Sequence, residues 1–278
     1  MTVLVNVIVM LGMLVVVPVG LRLVGTPAPM ALRRLWPLLA LPGAVSLWLP
    51  RGPAATALAA AYALATVALA LHAATRLRKA VEDGLTPAEV AVLTALSAPA
   101  VAATALVAER AGHRLFGFDL EILALTVPHF HFAGFAAALV AGLVCRGADG
   151  PAGRFAALSV PVGTLLVLLG YFVDDWAELV GALVLTAGMW TIAALTWQEV
   201  RTRGTERPTR LLLAVSAVVL AVTMLLALSW AVGEATGLPH PNLTWMASTH
   251  GLANALGFAL CSLLARYRLS QDATTHNP

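Results

Sequence analysis

Nine apolar runs, separated by short polar stretches, constrain the fold of this chain more than any other feature. A membrane-spanning helix needs about 20 mostly apolar residues, and most of the runs reach that length. The candidate spans are residues 3–24, 35–50, 54–75, 87–108, 121–145, 155–173, 177–199, 209–233 and 242–267. The second span is the shortest and carries prolines near both ends. The pattern predicts an all-α integral membrane protein with about nine transmembrane helices.

The small number of charged residues supports the same conclusion. Only 11% of the 278 residues are charged, whereas a soluble domain has about 25%. So few charges cannot cover a soluble surface, so membrane lipids are the expected surroundings. We predict one transmembrane domain over residues 1–269 and a disordered cytoplasmic tail over 270–278. The formal net charge of +3 does not indicate a nucleic-acid partner, because the basic residues lie in short loops and form no stripe.

The lysines and arginines between the apolar runs predict which side of the membrane each loop faces. With alternating loops, fourteen of the seventeen basic residues fall on one side and three on the other. The three are Arg51, Arg110 and Arg114. The fourteen are Arg22, Arg33, Arg34, Arg76, Arg78, Lys79, Arg146, Arg154, Arg201, Arg203, Arg207, Arg210, Arg266 and Arg268. Cytoplasmic loops collect lysine and arginine, so the N-terminus is predicted outside and the C-terminus inside.

Polar side chains, most of them ionisable, gather in the half of the spans that is predicted to face outward. Such groups are costly within a membrane, so they usually face the protein interior and mark function. The group comprises His129, His131, Tyr171, Asp174, Asp175, Glu178, His250 and Asn254, with Glu109, Asp119, Glu121, Glu234 and His240 nearer the surface. The sequence therefore predicts an outward-facing pocket within the membrane.

His129 and His131 form a His-Phe-His unit directly after Pro128. Residues two apart on a straight helix point to nearly opposite faces, so both can face one site only if Pro128 distorts the helix. We expect His129 to enter the pocket, roughly on the face of Glu121. The alternative is that each imidazole only binds a neighbouring backbone carbonyl.

His250 and Asn254 are four residues apart, which places them on one helical face. We expect His129, His131 and His250 to be acid–base groups. The residues expected to contact a substrate are Asn254, Thr249, Trp245, Tyr171 and Glu121. The alternative is that these polar groups are packing contacts between helices, with Gly251 at the seam.

Asp174, Asp175 and Glu178 stand at the predicted start of the seventh span. They are candidate catalytic carboxyl groups, because carboxylates near buried imidazoles are suited to proton transfer. The alternative is that the two aspartates cap the helix and Glu178 interacts with its dipole.

A divalent metal is a further alternative for the three histidines. Histidine and carboxylate side chains bind zinc or iron, but His129, His131 and His250 have no diagnostic spacing. Acid–base chemistry fits equally well without a metal, so no cofactor is expected.

Two short motifs resemble the YndJ-like family of bacterial multi-pass membrane proteins. They are His129-Phe-His131-Phe-Ala-Gly-Phe135 and Thr249-His250-Gly-Leu-Ala-Asn254-Ala-Leu-Gly257-Phe258. The resemblance implies the multi-span fold, a bacterial cytoplasmic membrane and the choice of His129, His131, His250 and Asn254. It implies no substrate and no mechanism.

These observations favour a membrane-embedded enzyme that acts on a lipophilic small molecule. The expected reaction is a cyclisation, an isomerisation or an epoxide opening, because these need only a proton donor and a proton acceptor. The alternative is a small-molecule transporter or exporter, for which polar residues would continue to the cytoplasmic side.

Overall fold

A computed structural model describes residues 2–25, 30–148, 150–202 and 206–275, and this part of the chain folds into nine helices. Their bounds are α1 Thr2–Leu21, α2 Met30–Ser46, α3 Pro53–Asp83, α4 Pro87–Arg110, α5 Leu120–Gly147, α6 Pro151–Gly170, α7 Asp175–Thr202, α8 Arg207–Thr236 and α9 from Leu243 to Thr275. Eight of them are long and apolar enough to cross a membrane. The predicted all-α membrane fold is confirmed.

The helix α2 is the exception among the nine. It has 17 residues and contains Pro37 and Pro42, so it is shorter than the roughly 20 residues that a span needs. It coincides with the span that the sequence marked as the shortest.

The C-terminal end of α9 extends further than predicted. Its last segment, Cys261–Thr275, includes the first six residues of the predicted tail, because an existing helix propagates more readily than a new one nucleates. Residues 276–278, and Arg203 of the predicted cytoplasmic loop, lie outside the described residues.

The chain forms two compact units. The first unit comprises Met1–Leu85 and Leu93–Ala136, and the second comprises Thr86–Val92 and Ala137–Pro278. The three boundaries between the units fall just before α4, within α4 and within α5. The predicted single domain over residues 1–269 stays a prediction.

Two helices of the first unit contain π-helical turns. The turn in α1 is Gly12–Val16, followed by Pro18, and the turn in α5 is Phe130–Ala137, preceded by Pro128. Proline has no N–H group, so it removes one bond of the regular helix. Such irregular turns are frequent at functional sites.

In the second unit α6 and α7 pack through glycines. A Cβ atom added to Gly163 would lie 2.5 Å from the nitrogen of Leu185, and one added to Gly181 would lie 2.4 Å from the nitrogen of Val167. The two backbones therefore approach closely, as small residues allow in membrane proteins. This packing fixes the turn between the helices, where several predicted site residues lie.

Candidate functional site

His250 is held against α8 by a hydrogen bond to the backbone. Its Nδ1 atom lies 2.9 Å from the carbonyl oxygen of Thr223. A carbonyl only accepts, so Nδ1 carries the hydrogen, and in the neutral ring Nε2 has a free lone pair. His250 lies in the π-helical turn Ala247–Gly251 of α9. The contact thus selects one tautomer and leaves Nε2 as the basic atom.

Asn254 completes a network of three residues. Its amide nitrogen lies 3.2 Å from Nε2 and 3.5 Å from Nδ1 of His250. The Thr223 hydroxyl reaches its Oδ1 at 2.8 Å and shares its one hydrogen with the carbonyl oxygen of Val219 at 2.9 Å. The structure therefore brings His250 and Asn254 together, as their spacing predicts. Both are partly exposed, so a bound molecule can reach Nε2 by displacing the amide.

Thr223 was not among the predicted site residues. A repeat in the sequence of α8 could have indicated it. Thr209, Ser216, Thr223 and Trp230 recur every seven residues and so share one face. The hydroxyl of Ser216 donates to Leu213 of its own helix at 2.9 Å. The hydroxyl of Thr209 accepts from Nε of Arg268 at 3.0 Å. One face of α8 thus carries polar side chains along most of its length.

Thr249 and Trp245 lie at the start of α9, close to His250 in the chain. The Thr249 hydroxyl donates to the carbonyl oxygen of Trp245 at 2.8 Å. The side chain of Asn242 caps the helix by accepting from the Trp245 nitrogen at 2.9 Å. Trp245 is 45% exposed. Their assignment as substrate contacts stays a prediction.

A second group of titratable side chains lies around the turn between α6 and α7. A Cβ atom added to Gly170 would lie 2.5 Å from Cα of Glu178, which shows how tightly this turn is packed. Desolvation and then the negative charges of Glu178 and Glu234 raise the pKa of Tyr171. Because 46% of Tyr171 is exposed, the two nearby carboxylates are the better-supported cause. Glu178 thus packs against Gly170, the residue that precedes Tyr171.

Glu234 also pairs with His240 at this end of α8. Their side chains approach to 3.1 Å between Nε2 and Oε1, and the His240 ring packs against the edge of Trp230 at 4.9 Å between centroids. Gly233 permits this arrangement, since an added Cβ atom would lie 2.3 Å from Cβ of His240.

Asp174 caps α7, which is the alternative interpretation that its position suggested. Its Oδ1 accepts from the backbone nitrogen of Ala177 at 2.8 Å. Asp175 and Glu178 follow in the first turn of the helix. A catalytic role for any of these three carboxylates stays a prediction.

His131 lies in the first unit and is fully buried. Its Nδ1 donates to the carbonyl oxygen of Val127 at 2.7 Å, and its Nε2 lies 2.7 Å from the hydroxyl of Tyr62. Both ring nitrogens are satisfied, as buried polar groups require. Tyr62 was not predicted, although a tyrosine in the middle of an apolar run is an unusual polar group.

The surroundings of His131 are tightly packed. A Cβ atom added to Gly12 would lie 2.9 Å from Cβ of His131. The ring of Trp36 packs edge-on against Tyr62, and its indole nitrogen donates to the carbonyl oxygen of Met13 at 2.9 Å. His131 is thus part of a buried polar network.

His129 and Glu121 are exposed, unlike His131. The opposite environments of the two histidines follow from their spacing of two residues. The ring of His129 contacts the edge of Phe130 at 5.8 Å between centroids, and Glu121 lies in the first turn of α5. Entry of His129 into a pocket stays a prediction.

The predicted site residues are divided between the two units. His129, His131 and Glu121 belong to the first unit, and His250, Asn254, Tyr171 and the three carboxylates belong to the second. Their convergence in one pocket stays a prediction. In the described ranges, no three His, Cys, Asp or Glu side chains are grouped so that they could hold a metal ion.

Comparison with known proteins identifies a family. The family model described as YndJ-like protein matches residues 7–258, which is most of the chain and includes both histidine motifs. No curated protein and no solved structure matches the chain. The chain belongs to the YndJ-like protein family.

Proposed function

We propose that this chain is a membrane-embedded enzyme that uses acid–base chemistry on a lipophilic small molecule, with His250 as the proton acceptor. The observation that carries the proposal is the hydrogen bond from Nδ1 of His250 to the Thr223 oxygen at 2.9 Å. It leaves Nε2 unprotonated in the neutral ring, and a positioned imidazole is the commonest general base in enzymes. His250 is partly exposed as a residue, which supports access of a substrate to this nitrogen.

The substrate would take the place of the Asn254 amide at Nε2. Asn254 would then orient the bound molecule, because its side chain is held by the Thr223 hydroxyl at 2.8 Å. Nε2 removes a proton from one atom of the substrate, and a carboxyl group delivers a proton to another. Asp174, Asp175 and Glu178 are the candidate donors. The substrate loses one proton and gains one, and the proton on His250 returns to the carboxylate through solvent. An isomerisation, a cyclisation or an intramolecular opening of an epoxide therefore needs no further reactant.

We place this enzyme in the cytoplasmic membrane of a bacterium, with the site in the outer half of the bilayer. The family resemblance and the excess of arginine and lysine on one side support this location. The substrate would then enter from the bilayer or from the outer face.

The proposal is tested by conversion of a lipid extract in heavy water. The purified protein in detergent is incubated in D2O with the lipid-soluble extract of the producing cells, and products are followed by mass spectrometry. Proton removal and delivery at carbon should give a new product that carries deuterium. His250→Ala should abolish it, whereas His113→Gln, at an exposed histidine, should not. Equal conversion by the His250→Ala variant would exclude His250 as the base.

A small-molecule exporter is the second candidate, and the polar face of α8 favours it. Thr209, Ser216, Thr223 and Trp230 form a column along that helix, as a transport path would. Proteoliposomes that move a solute without altering its mass would support export over catalysis. The hydroxyl of Ser216 is bonded within its own helix, so we rank this candidate second.

A further inference from the structure

The first unit contains a cavity of about 80 Å³ at the ends of α1, α4 and α5 that are predicted to face outward. Its polar lining comes from Asn6, Arg51, Glu109, Arg110 and Glu121, and its other walls are mostly apolar. A single water needs roughly 10–15 Å³ of such space. The cavity therefore has room for a small ionic headgroup.

The buried carboxylate of Glu109 holds two arginines at this cavity. Glu109 is 2% exposed and accepts from Nε of Arg51 at 2.8 Å. It also accepts from Nε and Nη2 of Arg110. The remaining nitrogen of Arg110, Nη1, donates to the carbonyl oxygens of Ser46 and Leu49, each at 3.3 Å. All three nitrogens of Arg110 are thus occupied.

Arg51 differs because only its Nε atom has an acceptor within the described part of the chain. Its side chain is 49% exposed, and its two Nη atoms provide four N–H groups. Two guanidinium groups share the Glu109 carboxylate, so this cluster carries one net positive charge on the Arg51 side, and Glu121 supplies a separate negative charge at the cavity. A phosphate or carboxylate would match both this charge and the fork of donors.

The same cavity also offers acceptors for a cation. Glu121 lines it and is exposed. Asn6 is 8% exposed and donates its amide to the Leu47 oxygen at 2.9 Å, so its Oδ1 remains to accept. An ammonium group is a donor without acceptors and would suit both oxygens.

We infer that this cavity binds a phosphate–ammonium zwitterion, with the phosphate on Arg51 and the ammonium on Glu121 and Asn6. The apolar walls, which include Val9, Leu106 and Leu125, would contact the first carbons next to this headgroup in an amphiphile. This binding site is separate from the proposed chemistry at His250. Its residues belong to the first unit, whereas His250 belongs to the second.

The test is a binding titration on the full-length protein in detergent. The probes are a short-chain phosphatidylethanolamine, the matching phosphatidylglycerol and free phosphoethanolamine. Phosphatidylethanolamine should bind more tightly than phosphatidylglycerol. If the protein also recognises the acyl chain of the lipid, free phosphoethanolamine should bind more weakly than phosphatidylethanolamine. Equal binding of phosphoethanolamine would retain the headgroup site but exclude recognition of the chain.

Three variants separate the parts of the proposal. Arg51→Gln should raise the Kd for phosphatidylethanolamine about 10-fold to 100-fold, as expected for lost hydrogen bonds to a charged group. Glu121→Gln should remove the preference for the zwitterion over phosphatidylglycerol. Arg114→Gln is the matched control, since Arg114 is 62% exposed, is paired with Asp119 and does not line the cavity. The Kd of this variant for phosphatidylethanolamine should stay unchanged.

Folding is checked by melting each variant without a probe, and Glu121→Gln leaves the Arg51–Glu109–Arg110 cluster intact. Absence of phosphatidylethanolamine binding by the unaltered protein would overturn the inference. So would an unchanged Kd in a folded Arg51→Gln variant, or an unchanged lipid preference in Glu121→Gln.

Discussion

Nδ1 of His250 donates to the backbone oxygen of Thr223, 27 residues away in the chain, across 2.9 Å. His131 makes the corresponding bond to the backbone oxygen of Val127 at 2.7 Å. The two imidazoles therefore share a tautomer and differ in what faces Nε2. A buried tyrosine hydroxyl faces it in His131, and a partly exposed amide faces it in His250. We therefore expect substitutions at His250 to affect chemistry and substitutions at His131 to affect stability.

Replacing Thr223 by valine should weaken the network without changing the tautomer of His250. The backbone oxygen remains, whereas Oδ1 of Asn254 loses the hydroxyl that donates to it. We expect the free energy of unfolding to fall by about 1 kcal/mol and any His250-dependent turnover to fall with it. Unfolding by increasing SDS in mixed micelles measures the first effect.

The control for this variant is Thr191→Val on α7. Thr191 is partly exposed, and its hydroxyl donates to Ala187 of its own helix at 2.8 Å. Surface changes of this kind are usually within about 0.5 kcal/mol. Equal losses in the two variants would mean that the bond to Asn254 contributes nothing specific.

Removing the Tyr62 hydroxyl should destabilise the first unit. Tyr62→Phe leaves Nε2 of His131 buried without a donor, which costs about 1–3 kcal/mol. His131→Leu should cost a similar amount, because it leaves the tyrosine hydroxyl unpaired. The double variant should lose less than the sum of the two single losses, since it leaves neither group unpaired.

This cycle is measured by the same SDS unfolding. Strictly additive losses would contradict the pairing of Tyr62 with His131. A similar melting temperature for Tyr62→Phe and the unaltered protein would do so as well.

The sequence predicted those features that depend on local composition and spacing. Every predicted span coincides with a helix, because hydropathy over about 20 residues is sufficient to identify one. The pairing of His250 with Asn254 also followed from their spacing of four residues.

The partners of the two histidines could not be predicted in the same way. Tyr62 is 69 residues from His131, and Thr223 is 27 residues from His250. Such contacts depend on which helices pack together, and an apolar run does not specify its neighbour. The π-helical turns at both histidines were also missed, since only Pro128 indicated a local break.

Gly12→Ala should destabilise the protein, in contrast to most glycine-to-alanine changes within helices. The new methyl group would lie 2.9 Å from Cβ of His131, an atom that cannot move without its backbone. Overpacking of this kind costs about 1–3 kcal/mol. Gly251→Ala is the matched control, because the nearest atom to its Cβ would be 3.7 Å away.

Alanine at position 251 should be neutral or stabilising by up to about 1 kcal/mol, since glycine weakens a helix. Thermal unfolding of both variants in one detergent compares them directly. If Gly12→Ala is as stable as Gly251→Ala, α1 does not approach His131 as closely as the structure describes.

The three arginines on the predicted outer side are exceptions to the positive-inside pattern. Arg51 and Arg110 both pair with Glu109, and Arg114 pairs with Asp119 at 2.5 Å. Each of these exceptions to the positive-inside pattern thus has a carboxylate partner. Arginines on the other side, such as Arg266 with Glu199, are paired too, so the predicted orientation rests on the number of basic residues on each side.

Labelling of single cysteines tests this orientation. In a background with Cys145→Ser and Cys261→Ser, we introduce His113→Cys in the predicted outer loop and Arg201→Cys at the predicted inner end of α7, both at exposed positions. A membrane-impermeant maleimide should label His113→Cys in intact cells. It should label Arg201→Cys only after the membrane is opened, because the bilayer excludes the reagent from that side. The reverse pattern would show that the topology is inverted and that His250 lies in the cytoplasmic half. The proposed site would then not face outward.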